Sequence, residues 1–457
     1  MEPTNNRFGG GATDTLIHPF VAVAVIVIIA SMFLLPRKSV IVPVFCAAFL
    51  IPLGQVVVLG GVHFTVLRII TVFGLIRWLT LLRGSKTDGV AGGFNSVDTV
   101  FVLWAFTYAV SFVLLYKDGQ ALINRLGFLL DALGGYFLLR YLIQDDEDVQ
   151  RVIRLFLVLA AIMAVCMATE HLTQKNVFGI LGGTKPAPDI REGKIRANGV
   201  FQHSILAGCF GATLLPLFMA LWNDRRSRRA AVIGVISSTT IMATASASTP
   251  VLACAGGIVA LCFWPFRTRM RAFRWGLVFT LVGLHLVMKA PVWALISRID
   301  LTGSSSSYHR YMLVDNCIRH FGDWWVGGVK DYNAWGWDMW DLSNQYVAYA
   351  VTGGLATLVF FIAIISRSFG RLGRARKAVT GSGRQEWFVW CLAAALFAHV
   401  VAYFGIGYFD QTQFAWFALL AMISAATSAA LRPRAEIAGT VALPLSCESQ
   451  SFSVSHP

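Results

Sequence analysis

Charge is what this chain has least of. Asp and Glu number 24 in 457 residues, and charged residues of both signs make up only 14%, against about 25% in soluble domains. By length alone the chain could form about three soluble domains, but too little polar surface is present to cover them. An ordinary cytosolic enzyme and a disordered regulator are excluded. Cysteine is present without a framework. Cys46, Cys166, Cys209, Cys254, Cys262 and Cys391 fall in apolar segments, Cys447 lies in the tail, and Cys317 sits alone in a long polar loop. That pattern excludes a disulfide-stapled secreted domain. No cysteines have paired zinc-ligand spacing, no histidines form a paired metal motif, and there is no glycine-rich nucleotide cradle. Neither a structural metal nor ATP-driven chemistry is expected, and no cofactor. No internal repeat is visible, and the two halves show no convincing similarity.

What is present is apolar. Hydrophobic residues make up 56% and mean hydropathy is +0.64, which predicts an all-α polytopic membrane protein. A span needs about 20 mostly apolar residues. Candidate spans are 16–35, 40–60, 65–82, 98–116, 124–143, 152–169, 204–222, 230–247, 250–266, 275–295, 343–366, 386–404 and 413–431, giving twelve to thirteen helices. The first lacks a basic leader and a small-residue cleavage site, so it reads as an anchor and not a signal peptide.

The net charge of +14 would suit a nucleic-acid surface, but its distribution argues against one. Basic residues cluster in short links: Arg37 with Lys38, Arg83 with Lys86, Arg225 to Arg229, Arg267 to Arg274, Arg367 to Lys377, and Arg432 with Arg434. Even numbers of spans separate successive clusters, so they share one side, which the positive-inside rule makes cytoplasmic. Arg68, Arg77 and Lys289 lie within spans. The chain then divides into N-terminal spans (1–169), a first long outer loop (170–203), central spans (204–295), a large outer loop, partly helical (296–342), C-terminal spans (343–431) and a polar cytoplasmic tail (432–457).

Both outer loops carry candidate chemistry. The first holds Lys175, Lys185, Arg191, Lys194 and Arg196 against the positive-inside trend, as an anionic substrate such as a lipid diphosphate would require. The second gathers Trp293, Trp324, Trp325, Trp335, Trp337 and Trp340 with Asp315, Asp323, Asp331, Asp338 and Asp341. Aromatic faces stack on sugar rings, and an anchor in lipid has little use for five carboxylates. Outer-side His171, His203, His309 and His320 could serve as bases. His18, His63, His285 and His399 lie in or beside spans and suit helix-packing hydrogen bonds.

Two stretches carry a resemblance. Arg196-Ala197-Asn198-Gly199-Val200-Phe201-Gln202-His203-Ser204-Ile205-Leu206-Ala207-Gly208 resembles the R-x-x-G-x-F-x-H-x-x-x-L-A signature of bacterial O-antigen ligases and polymerases, with a one-residue slip at the closing Leu-Ala. The ligases also show a histidine followed by Asn, Ser or Gln, nine residues, then Gly-x-x with Gly, Thr or Tyr. Here Asn344 is followed by residues 345–353 and Gly354-Leu355-Ala356-Thr357, while Arg310 matches the family's loop arginine ahead of Gly327-Gly328. Ser343 stands where the ligases have histidine, and Val314 where an Arg-x-x-x-Leu pattern has leucine. The likeness covers about 170–370.

The resemblance implies a metal-independent glycosyltransferase of the bacterial inner membrane with its active site facing the periplasm. The donor would be an undecaprenyl-diphosphate-linked oligosaccharide, the acceptor a glycan or lipid, and a chain-length regulator and a flippase would be partners beside the membrane lipids. Nucleic acid would not be one. Arginines suit a departing diphosphate because guanidinium forks match phosphate oxygens and stay charged. Arg196 and Arg310 are the candidates, with Arg191 or Arg298 assisting, and His320 or His309 is the candidate base. Trp324, Trp325, Trp335 and Trp337 are the candidate glycan platform. Asp338 and Asp341 would lie about one turn apart if helical. A polymerase, which needs no histidine at 343, is the first reading. A ligase acting on lipid A core or another acceptor is the second, and a transporter or flippase the third.

Overall fold

The computed structural model describes residues 15–82, 89–298, 306–336 and 338–431. The tail 432–457, Trp337 and the side chains of Arg83, Lys86 and Arg298 lie outside the described residues. The described chain is mostly helical, with two short hairpins. Seven of its helices are long and apolar enough to cross a membrane. They are α4 (Ser96–Tyr116), α5 (Gly119–Leu142), α6 (Asp146–Thr173), α10 (Met270–Val287), α12 (Gln345–Ala378), α13 (Gly383–Ala402) and α14 (Gln411–Leu431). Shorter or less apolar helices lie in the other candidate spans: α1 (Pro19–Leu34), α2 (Arg37–Leu50), α3 (Val66–Leu82), α7 (Ser204–Met219), α8 (Arg228–Ala245) and α9 (Ser248–Cys262). Helix α11 (Ser306–Arg319) lies in the large loop.

Apolar side chains that would face lipid alone do not explain the bundle, whose interior is aromatic. Phe45, Phe49, Phe156, Phe210 and Phe414 meet from α2, α6, α7 and α14, with ring centroids 5.0–6.1 Å apart. Trp104, Tyr349, Phe361 and Trp416 join α4, α12 and α14. Edge-to-face pairs of this kind add about 0.5–1.5 kcal/mol each beyond their buried area.

One predicted span is corrected. Helix α2 ends at Leu50, and residues 56–65 form a hairpin, β1 (Val56–Leu59) with β2 (Val62–Thr65). Leu59 pairs with Val62, which leaves Gly60-Gly61 as a two-residue turn with φ of +58° and +78°, a conformation that favours glycine at both positions. The β-branched run continued the apolar stretch, so hydropathy alone extended the helix to residue 60, over the first strand.

The bundle has two chemically distinct ends. At one, Arg37 pairs with Asp148 at 2.7 Å, Lys38 with Glu147 at 2.6 Å, and Arg140 with Asp98 at 3.0 Å. Glu386 there accepts from Arg267 and Arg376. At the other end lie both hairpins and both long loops. The Gln55 side chain, next to the first hairpin, ties it to the first long loop, donating to the carbonyls of Leu181 and Gly182 at 2.6 and 2.9 Å.

Candidate active site

Arg196 reaches its place through a built turn. Strands β3 (Asp189–Arg191) and β4 (Lys194–Arg196) are joined by Glu192-Gly193, both at positive φ. Beyond Arg196 the chain is fastened: the Ala197 amide donates to the Thr244 carbonyl at 3.0 Å, and the Glu170 carboxylate accepts from the Asn198 and Gly199 amides at 3.0 and 2.8 Å. Gly199 has φ +58°, and a Cβ there would meet Met163 Sδ at 2.6 Å, so only glycine fits. Phe201 is fully buried 5.3 Å from Phe210. His203 caps α7, its Nδ1 accepting from the Ile205 amide at 3.2 Å. Gly199, Phe201 and His203 thus form the frame that holds Arg196.

Arg196 is 8% exposed, its Nε has no hydrogen-bond partner, and it makes no ion pair among the described residues. Burial lowers its pKa, as does neighbouring Arg191, yet a guanidinium stays charged at neutral pH. A buried cation without a carboxylate costs several kcal/mol in general. His203 is held below the usual histidine range by burial and by Arg196 and Lys185, so it is neutral at pH 7. With Nδ1 accepting, its hydrogen sits on Nε2.

Arg310, on α11, is 6% exposed and donates to Thr249 Oγ1 at 3.0 Å and Ser248 Oγ at 3.3 Å. These hydroxyls open α9, where the αL residue Ser246 breaks the chain between α8 and α9. Thr249 in turn donates to the Gly405 carbonyl at 3.2 Å. Beside Arg310, His309 Nε2 lies 3.0 Å from the Asp341 carbonyl. A carbonyl only accepts, so Nε2 carries the hydrogen and the Nδ1 lone pair of the neutral ring is left as a base.

Asp341 joins the two loops. Burial raises its carboxyl, while His309, Arg191 and Arg310 oppose that shift. Arg191, from the first loop, and Arg310, from the second, therefore lie within electrostatic reach of one carboxylate. Asp338 is at positive φ, so the segment is not α-helical, yet the Asp341 amide donates to the Asp338 carbonyl at 3.2 Å across a single turn and the two carboxylates lie within electrostatic reach. Lys185 is tied to Asp189 at 2.6 Å and Arg191 is exposed beside Glu192 at 3.8 Å.

Other predicted residues are placed elsewhere. His320 ends α11, about 15 Å along that helix from Arg310 at 1.5 Å per residue. Its ring stacks on Trp335 at 4.7 Å, and Nδ1 lies 3.2 Å from Asp323 Oδ2. Trp324 is buried and donates its indole N–H to the Cys317 carbonyl at 2.7 Å, so it belongs to the loop's own core with Leu313 and Met339. That placement removes it from the stacking platform. Trp325 is 50% exposed and Trp335 partly so. Trp293 donates to Asp315 at 3.0 Å. Of the histidines near spans, His399 is buried and meets the Tyr408 hydroxyl at 2.9 Å, whereas His18 caps its own helix α1 and His285 is exposed.

The 343–357 stretch has a structural role. Asn344 caps α12, accepting from the Tyr346 and Val347 amides at 3.0 and 3.2 Å, and Ser343 next to it makes no side-chain hydrogen bond among the described residues. Gly354 breaks α12 at φ +77°. Loop residues Trp325–Val329 enter the break: the Leu355 amide donates to the Trp325 carbonyl at 2.9 Å and the Val329 amide to the Val351 carbonyl at 2.8 Å. A Cβ on Gly354 would lie 2.9 Å from the Gly327 amide nitrogen and Val326 carbonyl oxygen.

Sequence reasoning missed Asp410. It is 5% exposed in the link between α13 and α14, where Oδ1 accepts from the Thr412 amide at 2.9 Å and Oδ2 has no well-formed hydrogen bond. Burial pushes its carboxyl up to about 6, against the Thr412 donors and the Gln202 amide. Buried Cys209 lies within reach of both Asp410 and Arg310. A lone carboxylate in a short link between two apolar runs was the available signal.

No protein-family model matches the chain, and no curated protein matches it.

Proposed function

We propose that this chain is a multi-pass glycosyltransferase that polymerises polyprenyl-diphosphate-linked oligosaccharide repeats at the outer face of a bacterial inner membrane. The observation that carries this reading is two arginines from two loops, Arg196 and Arg310, each more than nine-tenths buried and each linked to Arg191: Arg196 directly, with His203 beside it, and Arg310 through Asp341, with His309 beside it. Twelve to thirteen helices would span the bilayer, with the basic end cytoplasmic.

In this reading the acceptor hydroxyl forms a bond to the anomeric carbon while the bond from that carbon to the diphosphate oxygen breaks. Arg196 and Arg310 take up the charge that develops on the departing diphosphate, and the Nε2 hydrogen of His203 is a further donor to it. His309 Nδ1 receives the hydroxyl proton, and its ring is oriented by the Asp341 carbonyl. Exposed Trp325 offers a ring face to the sugar. The products are the lengthened glycan and the polyprenyl diphosphate.

Ligase activity is the second reading, favoured by Arg310 and by the spacing from Asn344 to Gly354. The glycan profile of a deletion strain, with its lipid-linked pool, separates the two. Surface glycan stopped at a single repeat means a polymerase, whereas long chains stranded on the polyprenyl carrier mean a ligase. Normal chains on the surface would contradict both.

A further inference from the structure

At the end of α12 farthest from the arginine site, a cavity of about 490 Å³ opens between the α9–α10 and α12–α13 links. Its lining includes Arg267, Thr268, Arg376, Lys377, Thr380 and Glu386. Glu386 is 4% exposed and accepts from Arg267 Nε at 3.0 Å and from Arg376 Nη1 at 2.8 Å. One carboxylate thus fixes two guanidiniums, and with Lys377 the cavity keeps an excess of positive charge. The Arg267 guanidinium lies 4.1 Å over the Trp264 ring, which meets Trp387 and Trp390 edge-on at 5.1 and 6.0 Å. Tryptophans and cations at helix ends occupy the headgroup layer of a bilayer.

The wall beside the cavity supplies a second observation. Helix α10 begins at Met270, next to the cavity, and buries no residue of its own. Phe273, Leu277, Val278 and Leu284 are exposed. An apolar helix with no buried residue leaves its length open to hydrocarbon.

We propose that this cavity binds the phosphate of an anionic glycerophospholipid whose acyl chains lie along α10. Guanidiniums match phosphate oxygens, and basic pockets between membrane helices suit such headgroups. A free phosphate would satisfy the charge but leave the apolar wall unused, which favours the lipid.

The test reconstitutes the full chain into nanodiscs of phosphatidylcholine doped with phosphatidylglycerol and counts retained lipids by native mass spectrometry. Wild type should retain phosphatidylglycerol preferentially. The double variant Arg267→Gln with Lys377→Gln should lower that enrichment by about fivefold or more, the worth of one cation near a charged headgroup. Arg271→Gln with Arg274→Gln removes the same charge from exposed positions outside the cavity and should leave the enrichment in place. Equal loss in both variants would mean diffuse surface attraction and overturn the site. Release of the lipid by millimolar inorganic phosphate would assign the cavity to free anions instead. Should the double variant not fold, Lys377→Gln alone, at an exposed position, must still lower the enrichment, and an unchanged value refutes the proposal.

Discussion

A guanidinium removed from water without a direct ion pair is an unfavourable arrangement, and Arg196 is in that position, with Asp189 across the hairpin and Glu192 acting on it only through space. Its geometry matters as well as its charge, because only the planar fork can meet two phosphate oxygens at once. Arg196→Lys should therefore lose activity by about 100-fold, the scale of removing one donor from a developing oxyanion. Turnover of the purified variant checks this, and near-normal turnover would reduce the role to charge alone. Asp410 gives a second prediction. Its folded pKa, about 6, lies above the ordinary 3.8, so the folded state holds the proton more tightly than the unfolded chain. The contribution is most favourable below about pH 4 and is lost as pH rises through about 6, amounting to up to about 3 kcal/mol. Thermal unfolding across that window should show a pH-dependent difference between wild type and Asp410→Asn, which a constant difference would contradict. Arg196 stood out because a basic run in the first long loop runs against the positive-inside trend, and Arg310 because it matches the loop arginine of the family that the sequence resembles. Asp410 did not, because one acidic residue between two spans has no pattern to break.

Helix α12 is set by one residue that cannot be helical. A Cβ on Gly354, which is at φ +77°, would meet the Val326 carbonyl oxygen and the Gly327 amide nitrogen at 2.9 Å, while Gly370 in the same helix has open space where its Cβ would be. Gly354→Ala should destabilise by about 1–3 kcal/mol, the cost of a strained backbone, and the clash adds to it. Gly370→Ala should stabilise by up to about 1 kcal/mol through helix propensity. Parallel melting curves check the pair, and equal behaviour would mean the break is not held by the loop wedge. The sequence pattern carried the helices well because apolar runs near span length are hard to disguise. It failed where local and global signals shared residues: Val56–Thr65 is apolar enough to extend a span, yet its Gly60-Gly61 turn makes it a hairpin. Nor does periodicity separate tryptophans within an irregular loop, where Trp324 turns inward and Trp325 outward.

Across the whole molecule, the ion-paired basic end and the two-loop end stand at opposite termini of α12, on either side of its break at Gly354. Single cysteines at Arg191 and Arg384, in a background without native cysteine, should react with an impermeant thiol reagent from opposite sides of sealed vesicles. Labelling from the same side would contradict the polarity on which the proposed function rests. The most direct measurement supplies purified protein in nanodiscs with an undecaprenyl-diphosphate-linked repeat and follows release of the diphosphate carrier alongside glycan length. Wild type should release one carrier for each repeat added, and Arg196→Gln and Arg310→Gln should each abolish both while still melting cooperatively as folded proteins. Chain growth at the wild-type rate in both variants would contradict the account.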